Sequence, residues 1–374
     1  MKKGKNKITI KTVPMKDYRE FHVTLKNIGS DGEVFLEMLE KLEKEEILIS
    51  KVVFFGDTAR IEKFVLVVRG KYPFLIIGNS LPDEAVNAYI LGIKIIKGES
   101  QAVELGGEII GRYFDLPDFE YLNVGGISLK SKQETFIKET ENEYKKISEV
   151  LVFYDFSLKD IYRFWNYMSM IWDNYFVFNE ARNEYFEKNK IVKFPAATGI
   201  EADLGFGKNI NLGFEAIKSK SRVGFEWGVA SSGFQIEPHK YDRQVSDLPQ
   251  GPRFSRAAYL DYPKGGLNKF YISGISSANK RGESSLVDNP RENVAYVMAS
   301  FIDLLEKKGF SLGNLVSTHV YFKNKNISQE FERLYIANDW KFPVNYVFTN
   351  ICRENFLFEI EGVASDWVED YFFE

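Results

Sequence analysis

Two glutamates near the carboxyl end of the chain stand where a pair of acids could carry out proton chemistry. The segment FLFEIEG (356–362) has the alternation of a β-strand, which places Glu359 and Glu361 on one face and aromatic or aliphatic residues on the other. Two carboxyl groups so close together would raise the pKa of at least one of them, through desolvation and mutual repulsion. The alternative is an edge strand whose glutamates face solvent.

A second stretch, YISGISSANKRGESS (271–285), could bring the backbone close to a ligand. Its strand-like start is followed by small residues, among them Gly274 and Ser276, and then by a charged turn. Small residues after a strand let backbone approach a phosphate, an acid or a neighbouring strand. The pattern alone leaves these three possibilities open.

The elements that would position these residues occur three times along the chain. Segments 35–64, 136–164 and 301–331 each begin with apolar residues at helical spacing, pass to a short β-type run and enter a second helix. The β-type runs are KVVFF, EVLVFY and THVYF. Each segment is followed by lysine, an aromatic residue and proline (71–73, 193–195 and 341–343), and then by two probable strands. The order predicts three divergent β-β-α-β-α-β-β units.

Three such units favour an α+β fold of mixed sheets closed into an intramolecular pseudo-trimer. A mixed sheet with two helices on one face must bury its other face against something else. Three units in one chain can bury those faces against each other, with clefts at the junctions. We expect units at 1–100, 101–220 and 221–374, with the active site carried by the last. No linker-like segment separates them, which favours one compact body.

Composition limits the classes of partner. A net charge of −4 argues against nucleic acid as the main partner, and the 15% of aromatic residues is explained by packing. The basic N-terminus lacks the apolar run of a signal peptide and no membrane-spanning stretch follows, so we expect a cytoplasmic protein. A single cysteine fits a reducing compartment, and three histidines without ligand spacing argue against a metal site.

Several motifs resemble a known family. The unit from YISGISSAN (271–279) to FLFEIEG is similar to the RidA/YjgF fold, whose members are trimers with pockets between subunits. Residues 160–365 further resemble the chorismatases, which carry this fold in a longer chain. The matching segments are FWNYMSMI (164–171), VFNEAR (177–182), FPAATGIEA (194–202), GPRFSRA (251–257) and ICRENFLFEIEG (351–362).

The resemblance implies cleavage of the enolpyruvyl ether of chorismate to pyruvate and a cyclohexadiene or hydroxybenzoate carboxylate, in secondary metabolism. An enol ether breaks down once its methylene carbon is protonated, which requires a carboxylic acid kept neutral in a dry site. The resemblance assigns that role to Glu359, without metal or organic cofactor. The two substrate carboxylates require bidentate donors. The candidates are Arg182, on a predicted helix over 180–189, and Arg253, Arg256 and Arg353. Further predicted contacts are Tyr241, Gly274, Ser276, Glu283 and Glu361.

The chain also departs from the family pattern. Phe176 stands where chorismatases have an arginine, and Val344-Asn345 stands where RidA deaminases have one. GPRFSRA is shorter than the family motif, and the turn of the glycine loop reads Arg281-Gly282-Glu283. Two alternative functions therefore stay open: a RidA-like enamine or imine deaminase, and a catalytically silent protein that binds a small carboxylic or aromatic molecule or a biosynthetic partner. We expect a monomer or weak dimer, because the pseudo-trimer closes within one chain.

Overall fold

The structure is a computed structural model that describes residues 7–28, 32–78, 86–127, 135–220, 226–241, 251–262, 267–279, 282–284 and 286–373. Three groups of elements follow one another. The first comprises β1 (Lys7–Pro14), β2 (Tyr18–Lys26), α1 (Glu33–Lys44), β3 (Leu48–Gly56), α2 (Thr58–Val68), β4 (Phe74–Gly78) and β5 (Asn87–Ile95). The second comprises β6 (Glu99–Leu105), β7 (Glu108–Asp115), β8 (Phe119–Ile127), α3 (Phe136–Phe153), β9 (Ile161–Met168), α4 (Ile171–Lys188), β10 (Ala196–Glu201) and β11 (Ile210–Ser219). The third comprises β12 (Glu226–Ala230), β13 (Ala257–Tyr262), β14 (Leu267–Ile275), α5 (Pro290–Lys307), β15 (Leu315–Phe322), α6 (Lys325–Ala337), β16 (Asn345–Phe348) and β17 (Phe358–Ser365), before a final β18 (Glu369–Asp370).

The three groups form three six-stranded sheets built to one plan. Five strands of each sheet follow the orders β1-β2-β5-β3-β4, β7-β8-β11-β9-β10 and β13-β14-β17-β15-β16. In each, the last strand of the unit lies between an antiparallel hairpin and a parallel pair whose crossover is a helix. The predicted order of units and the mixed α/β fold class are confirmed by this topology. One predicted strand is wrong: the run EVLVFY (149–154) forms the last turns of α3, and the strand of that unit is β9 (Ile161–Met168), where a second helix was expected. A short apolar run fits a buried helix face as well as a strand, so its pattern alone could not separate the two.

The sixth strand of each sheet lies beside the first strand of the plan and comes from a different place in the chain. It is β6 in the second sheet and β12 in the third, but in the first sheet it is β18 from the carboxyl end. Lys11 of β1 is the register partner of Asp370 and forms an ion pair with it at 2.7 Å. We propose 1–100, 101–220 and 221–374 as the units, with this strand returning to the first sheet.

Helix α5 shows how local sequence signals build each unit. Pro290 is well placed in its first turn, because its fixed φ suits a helix and its missing N–H has no partner there. The side chain of Asn289 caps the helix by accepting from the N–H of Glu292. Apolar residues at spacings of three and four, from Val294 to Leu305, are buried against the sheet. No helix in the described ranges is long and apolar enough to span a bilayer.

Helix α4 differs from its sequence prediction, which covered only 180–189. It begins nine residues earlier, after Met170 in a left-handed conformation, and ends at Lys188. The additional two turns, IWDNYFVFN, carry aromatic residues on several sides and lack a clean amphipathic pattern. These turns place Tyr175 and Phe178 beside the second and third sheets.

The faces of the sheets that the helices leave open are buried against each other. One apolar cluster joins Val13, Phe114, Tyr162, Val316 and residues around them, and so draws on all three units. A second cluster around Phe55, Trp165, Tyr321 and Val347 does the same. Three separate clusters fill the space between each sheet and its own helices. This is the packing expected of a pseudo-threefold body within one chain.

Charged side chains also lie between the three sheets. They line a small cavity of about 20 Å³. The Nζ of Lys51 lies 3.4 Å from the ring centroid of Trp165 and 3.8 Å from a carboxylate oxygen of Glu215. Burial lowers the pKa of Lys51 to about 7. Arg163 lines the same space and forms an ion pair with Glu361 at 3.0 Å.

Candidate active site

A narrow cleft with a cavity volume of about 30 Å³ lies at the junction of the second and third sheets. Strand β10 of the second sheet runs beside β14 of the third. The N–H of Ala197 donates to Ser273 Oγ at 2.9 Å, and the N–H of Gly274 donates to Thr198 Oγ1 at 3.1 Å. The cleft is lined by Asn166, Tyr175, Phe178, Arg182, Ala197, Gly199, Tyr241, Pro252, Phe254, Arg256, Gly274, Ser276, Cys352, Arg353, Phe356 and Glu359. Seven of the ten residues expected from the sequence are among them.

Glu359 is the carboxyl group of this cleft. It lies on β17 opposite Tyr321 of β15, and only 3% of its surface is exposed. Desolvation and the nearby negative charge of Glu361 raise the pKa of Glu359 to about 8, and the positive charge of Arg256 opposes the shift only in part. No hydrogen bond reaches its carboxyl group from the described residues. Near neutral pH this side chain is a neutral acid with a proton to give.

Glu361, two residues along the same strand, is held in the opposite state. It is fully buried and accepts hydrogen bonds from Arg163 Nη2 at 3.0 Å, Thr198 Oγ1 at 2.6 Å and the Tyr321 hydroxyl at 2.6 Å. Burial acts to raise the pKa of Glu361, but the charge of Arg163 and these donors hold it below its usual range. Its carboxylate does not line the cleft. It supplies instead a fixed negative charge near Glu359. The pKa of Glu359 is raised and that of Glu361 is lowered, a difference that is common in catalytic pairs of acids.

Arg256 is a rigid cation in the wall of the cleft. Its Nε and Nη2 donate to the carbonyl oxygen of Ile236 at 3.1 and 3.0 Å, and Nη2 also donates to the Tyr241 hydroxyl at 2.6 Å. The guanidinium of Arg353 lies 6.0 Å from the ring of Tyr241. Tyr241 therefore lies near two guanidinium groups and holds one of them, that of Arg256, by a hydrogen bond.

Arg182 reaches the cleft from α4. Its Nη2 donates to the side-chain oxygen of Asn179, one turn earlier on the helix. Its Nε is buried and has no hydrogen-bond partner among the described residues. Burial lowers the pKa of Arg182. A buried donor without a partner is costly, and an incoming carboxylate would satisfy it.

Arg253 and Glu283 do not line the cleft. Arg253 donates to the carbonyl oxygen of Asn183 at 3.0 Å and pairs with Glu187 at 3.2 Å, both on α4. The N–H of Glu283 donates to the side-chain oxygen of Asn279 at 3.1 Å within the glycine turn. The neighbouring Gly282 lies against the ring of Tyr241. Arg281 of this turn lies outside the described residues.

Gly274 and Ser276 border the cleft through backbone approach. A β-carbon at Gly274 would overlap the carboxyl group of Glu359, so glycine is required for the acid to sit where it does. The Gly274 N–H is taken by Thr198, and the carbonyl oxygen of Ser276 accepts from Gln235 Nε2 at 2.5 Å. The stretch that raised the possibility of a phosphate loop thus accommodates a carboxylic acid side chain.

The sequence analysis did not propose Asn166, Tyr175 or Cys352 as site residues. Asn166 and Cys352 fall within motifs noted there, whereas Tyr175 lies between two of them. Asn166 lies in the FWNYM run on β9 and is 1% exposed. Burial raises the pKa of Cys352 to about 12, so its thiol stays protonated. The two positions at which the family has arginine do not line the cleft. Phe176 is partly exposed on α4, and Asn345 contacts His319 at 3.3 Å.

Among the described residues, the position of Glu359 is occupied by a carboxylic acid in only one of the three units. The register of the sheets places Asn87 opposite Phe55, Asn211 opposite Tyr167 and Glu359 opposite Tyr321. These are equivalent positions in the three units. Asparagine cannot donate a proton as an acid does, so at this position only the third unit carries a group capable of general acid chemistry. Within the described residues, no group of three or more His, Cys, Asp or Glu could hold a metal ion.

Comparison with known proteins supports the fold. No family model and no curated protein matches the sequence. Among solved structures, a chorismatase matches with a TM-score of 0.64 and 17% identity, covering 85% of this chain and 93% of the other. An endoribonuclease L-PSP of Entamoeba histolytica (TM-score 0.29, 18% identity) covers 37% of this chain and 98% of its own. A YjgF protein of Neisseria meningitidis (TM-score 0.25, 21% identity) covers 34% and 96%. The chain therefore has a chorismatase-like fold.

Proposed function

We propose that this protein cleaves the enolpyruvyl ether of chorismate, or of a closely related cyclic enolpyruvyl acid, and releases pyruvate. The observation that carries the proposal is a neutral glutamic acid, Glu359, in a cleft that also contains three guanidinium groups. A dicarboxylate with an acid-labile enol ether needs this combination of charges. The chorismatase-like fold supports the same reaction class.

Binding would neutralise the guanidinium groups with the two substrate carboxylates. Arg182 offers its unpartnered Nε, and the guanidinium groups of Arg256 and Arg353 both lie near Tyr241. The cleft is otherwise enclosed by aromatic side chains, including Phe178 and Phe254. Exclusion of water strengthens each of these interactions and keeps the catalytic acid protonated.

The chemical step is protonation of the terminal methylene carbon by Glu359. The carbon–carbon π electrons form the new C–H bond, and the resulting oxocarbenium ion is stabilised by its ether oxygen. Water adds to this cation, and collapse of the hemiketal gives pyruvate and the dihydroxycyclohexadiene carboxylate. If a ring hydroxyl reacts in place of water, rearrangement gives pyruvate and a hydroxybenzoate without net consumption of water. In both routes a proton returns to the Glu359 carboxylate.

The decisive experiment measures pyruvate release from chorismate with a lactate dehydrogenase couple. We expect turnover by the wild type and at least a hundredfold loss in Glu359→Gln, because general acid catalysis contributes about 10²–10⁴-fold. Glu354→Gln is the matched control, since Glu354 is exposed in the same segment. Equal rates for the wild type and Glu359→Gln would remove Glu359 from the mechanism. Absence of pyruvate from the wild type would refute the activity and leave a binding protein.

A further inference from the structure

We propose that Asn166 makes the cleft specific for a hydroxy acid, by accepting a hydrogen bond from a hydroxyl group on the ring of the bound ligand. The inference rests on the proposed function and deepens it, since it names a group that the substrate must carry besides its carboxylates. It concerns an amide that lines the cleft beside the acid and the guanidinium groups.

The orientation of the Asn166 amide is determined by its neighbour. Its Nδ2 donates to the main-chain carbonyl oxygen of Thr198 at 3.2 Å. A flipped amide would bring two carbonyl oxygens together, so the flip is excluded. Thr198 is itself fixed, because its Oγ1 donates to Glu361 and accepts from the N–H of Gly274. The side-chain oxygen of Asn166 therefore faces away from Thr198.

That oxygen has no hydrogen-bond partner among the described residues, although Asn166 is 1% exposed. A buried acceptor without a donor is unfavourable, and buried polar groups in folded proteins are nearly always paired. The residue is thus an acceptor prepared for a group that enters the cleft from outside.

The charges around the cleft select the type of donor. Arg182, Arg256 and Arg353 provide donors only and match carboxylates. An ammonium group on the ligand would be repelled by these three cations, whereas a hydroxyl group is neutral and can donate to the amide oxygen. A ring that carries carboxylates and a free hydroxyl satisfies both sets of groups.

The test is a binding cycle with two ligands in the Glu359→Gln background, which prevents turnover. One ligand is chorismate, and the other is 3-(1-carboxyvinyloxy)benzoate, which has both carboxylates and the enol ether but no hydroxyl. Calorimetry gives the Kd of each ligand, and the measured quantity is the preference for chorismate, that is, the Kd of the second ligand divided by the Kd of chorismate. We expect this preference to be about tenfold larger in Glu359→Gln than in Glu359→Gln/Asn166→Leu. Differences in ring shape between the two ligands cancel from this comparison, because the same two ligands are measured with both proteins.

Asn166→Ser provides a second variant whose hydroxyl can still donate to the Thr198 carbonyl. Both variants are checked by circular dichroism before binding is measured. An affinity ratio that is unchanged by both substitutions would overturn the proposal. The proposal would also be overturned if Asn166→Leu lost pyruvate release while the affinity ratio stayed unchanged. The amide would then bind the attacking water molecule and not the hydroxyl group of the ligand. If the wild type releases no pyruvate but the ratio changes as expected, the proposed reaction fails and the assignment of Asn166 stands.

Discussion

Replacement of Glu359 by glutamine has a thermodynamic consequence that does not depend on any substrate. Glutamine has nearly the shape of a neutral glutamic acid but cannot ionise. In the folded wild type burial raises the pKa of Glu359 to about 8, from an ordinary value of 4.5. A carboxyl group with a raised folded-state pKa contributes its full stability below the unfolded pKa and loses it as the pH rises towards the folded one. Between these values the wild type should lose stability relative to Glu359→Gln.

The size of the effect follows from the proton linkage. Each pH unit between the two pKa values changes the free energy of unfolding of the wild type by about 1.4 kcal/mol. The difference in free energy of unfolding between Glu359→Gln and the wild type should therefore shift by about 3 kcal/mol in favour of Glu359→Gln from about pH 5 to about pH 7.5. Above pH 8 the difference should level off, because both states of the wild type are then ionised. Other titrating groups are common to both proteins and cancel.

Urea denaturation at half-unit pH intervals, followed by tryptophan fluorescence, measures this difference. The five tryptophans supply the signal, and Glu354→Gln, altered at an exposed position in the same segment, is the control. We expect the control to differ from the wild type by an amount that does not change with pH. A constant difference for Glu359→Gln as well would show that Glu359 ionises like an exposed carboxyl group, and the neutral-acid mechanism would be refuted.

Four further outcomes are expected. The kcat/KM for pyruvate release should fall as the pH rises through about 8, because Glu359 then loses its proton. Glu361→Gln should move this fall to lower pH, because it removes the negative charge next to Glu359. A fall at the same pH in the wild type and Glu361→Gln would contradict this. Arg182→Lys should raise KM about tenfold in steady-state kinetics, since the planar fork is lost, and an unchanged KM would exclude Arg182 from binding. Gly274→Ala should lower kcat at least tenfold, because the added β-carbon displaces the Glu359 carboxyl group. The control Gly313→Ala should leave kcat unchanged, since the nearest atom to its β-carbon is 3.5 Å away. Equal kcat values for the two variants would refute the close contact between Gly274 and Glu359. Sedimentation should give a mass near 43.2 kDa, and a stable homotrimer would argue against closure within one chain.

The repeated units could be predicted from the sequence because their signals are local. Helical spacing of apolar residues, β-branched and aromatic runs, and a proline before each parallel strand act over a few residues. The strands after Pro73, Pro195 and Pro343 lie where this pattern places them. Helix α4 was underestimated because its first two turns are aromatic rather than amphipathic.

The site was only partly accessible from sequence. Alternation on one strand indicated that Glu359 and Glu361 share a face and that one pKa would rise. It did not indicate which acid would be neutral, because that depends on Arg163, which is 198 residues away from Glu361 in the chain and reaches it only in the folded protein. For the same reason Arg253 could not be separated from Arg256: both lie in GPRFSRA, but one pairs with Glu187 and the other lines the cleft.

The sequence by itself thus determined the three units, their order and a set of candidate acidic and basic residues, since these depend on residue type and short-range spacing. The tertiary structure decided which of these residues meet in one cleft. Close packing of β10 against β14 brings Thr198 and Asn166 of one unit to Glu361 and Glu359 of another. Burial and opposite neighbours then separate two identical carboxyl groups into a charged one and a neutral one.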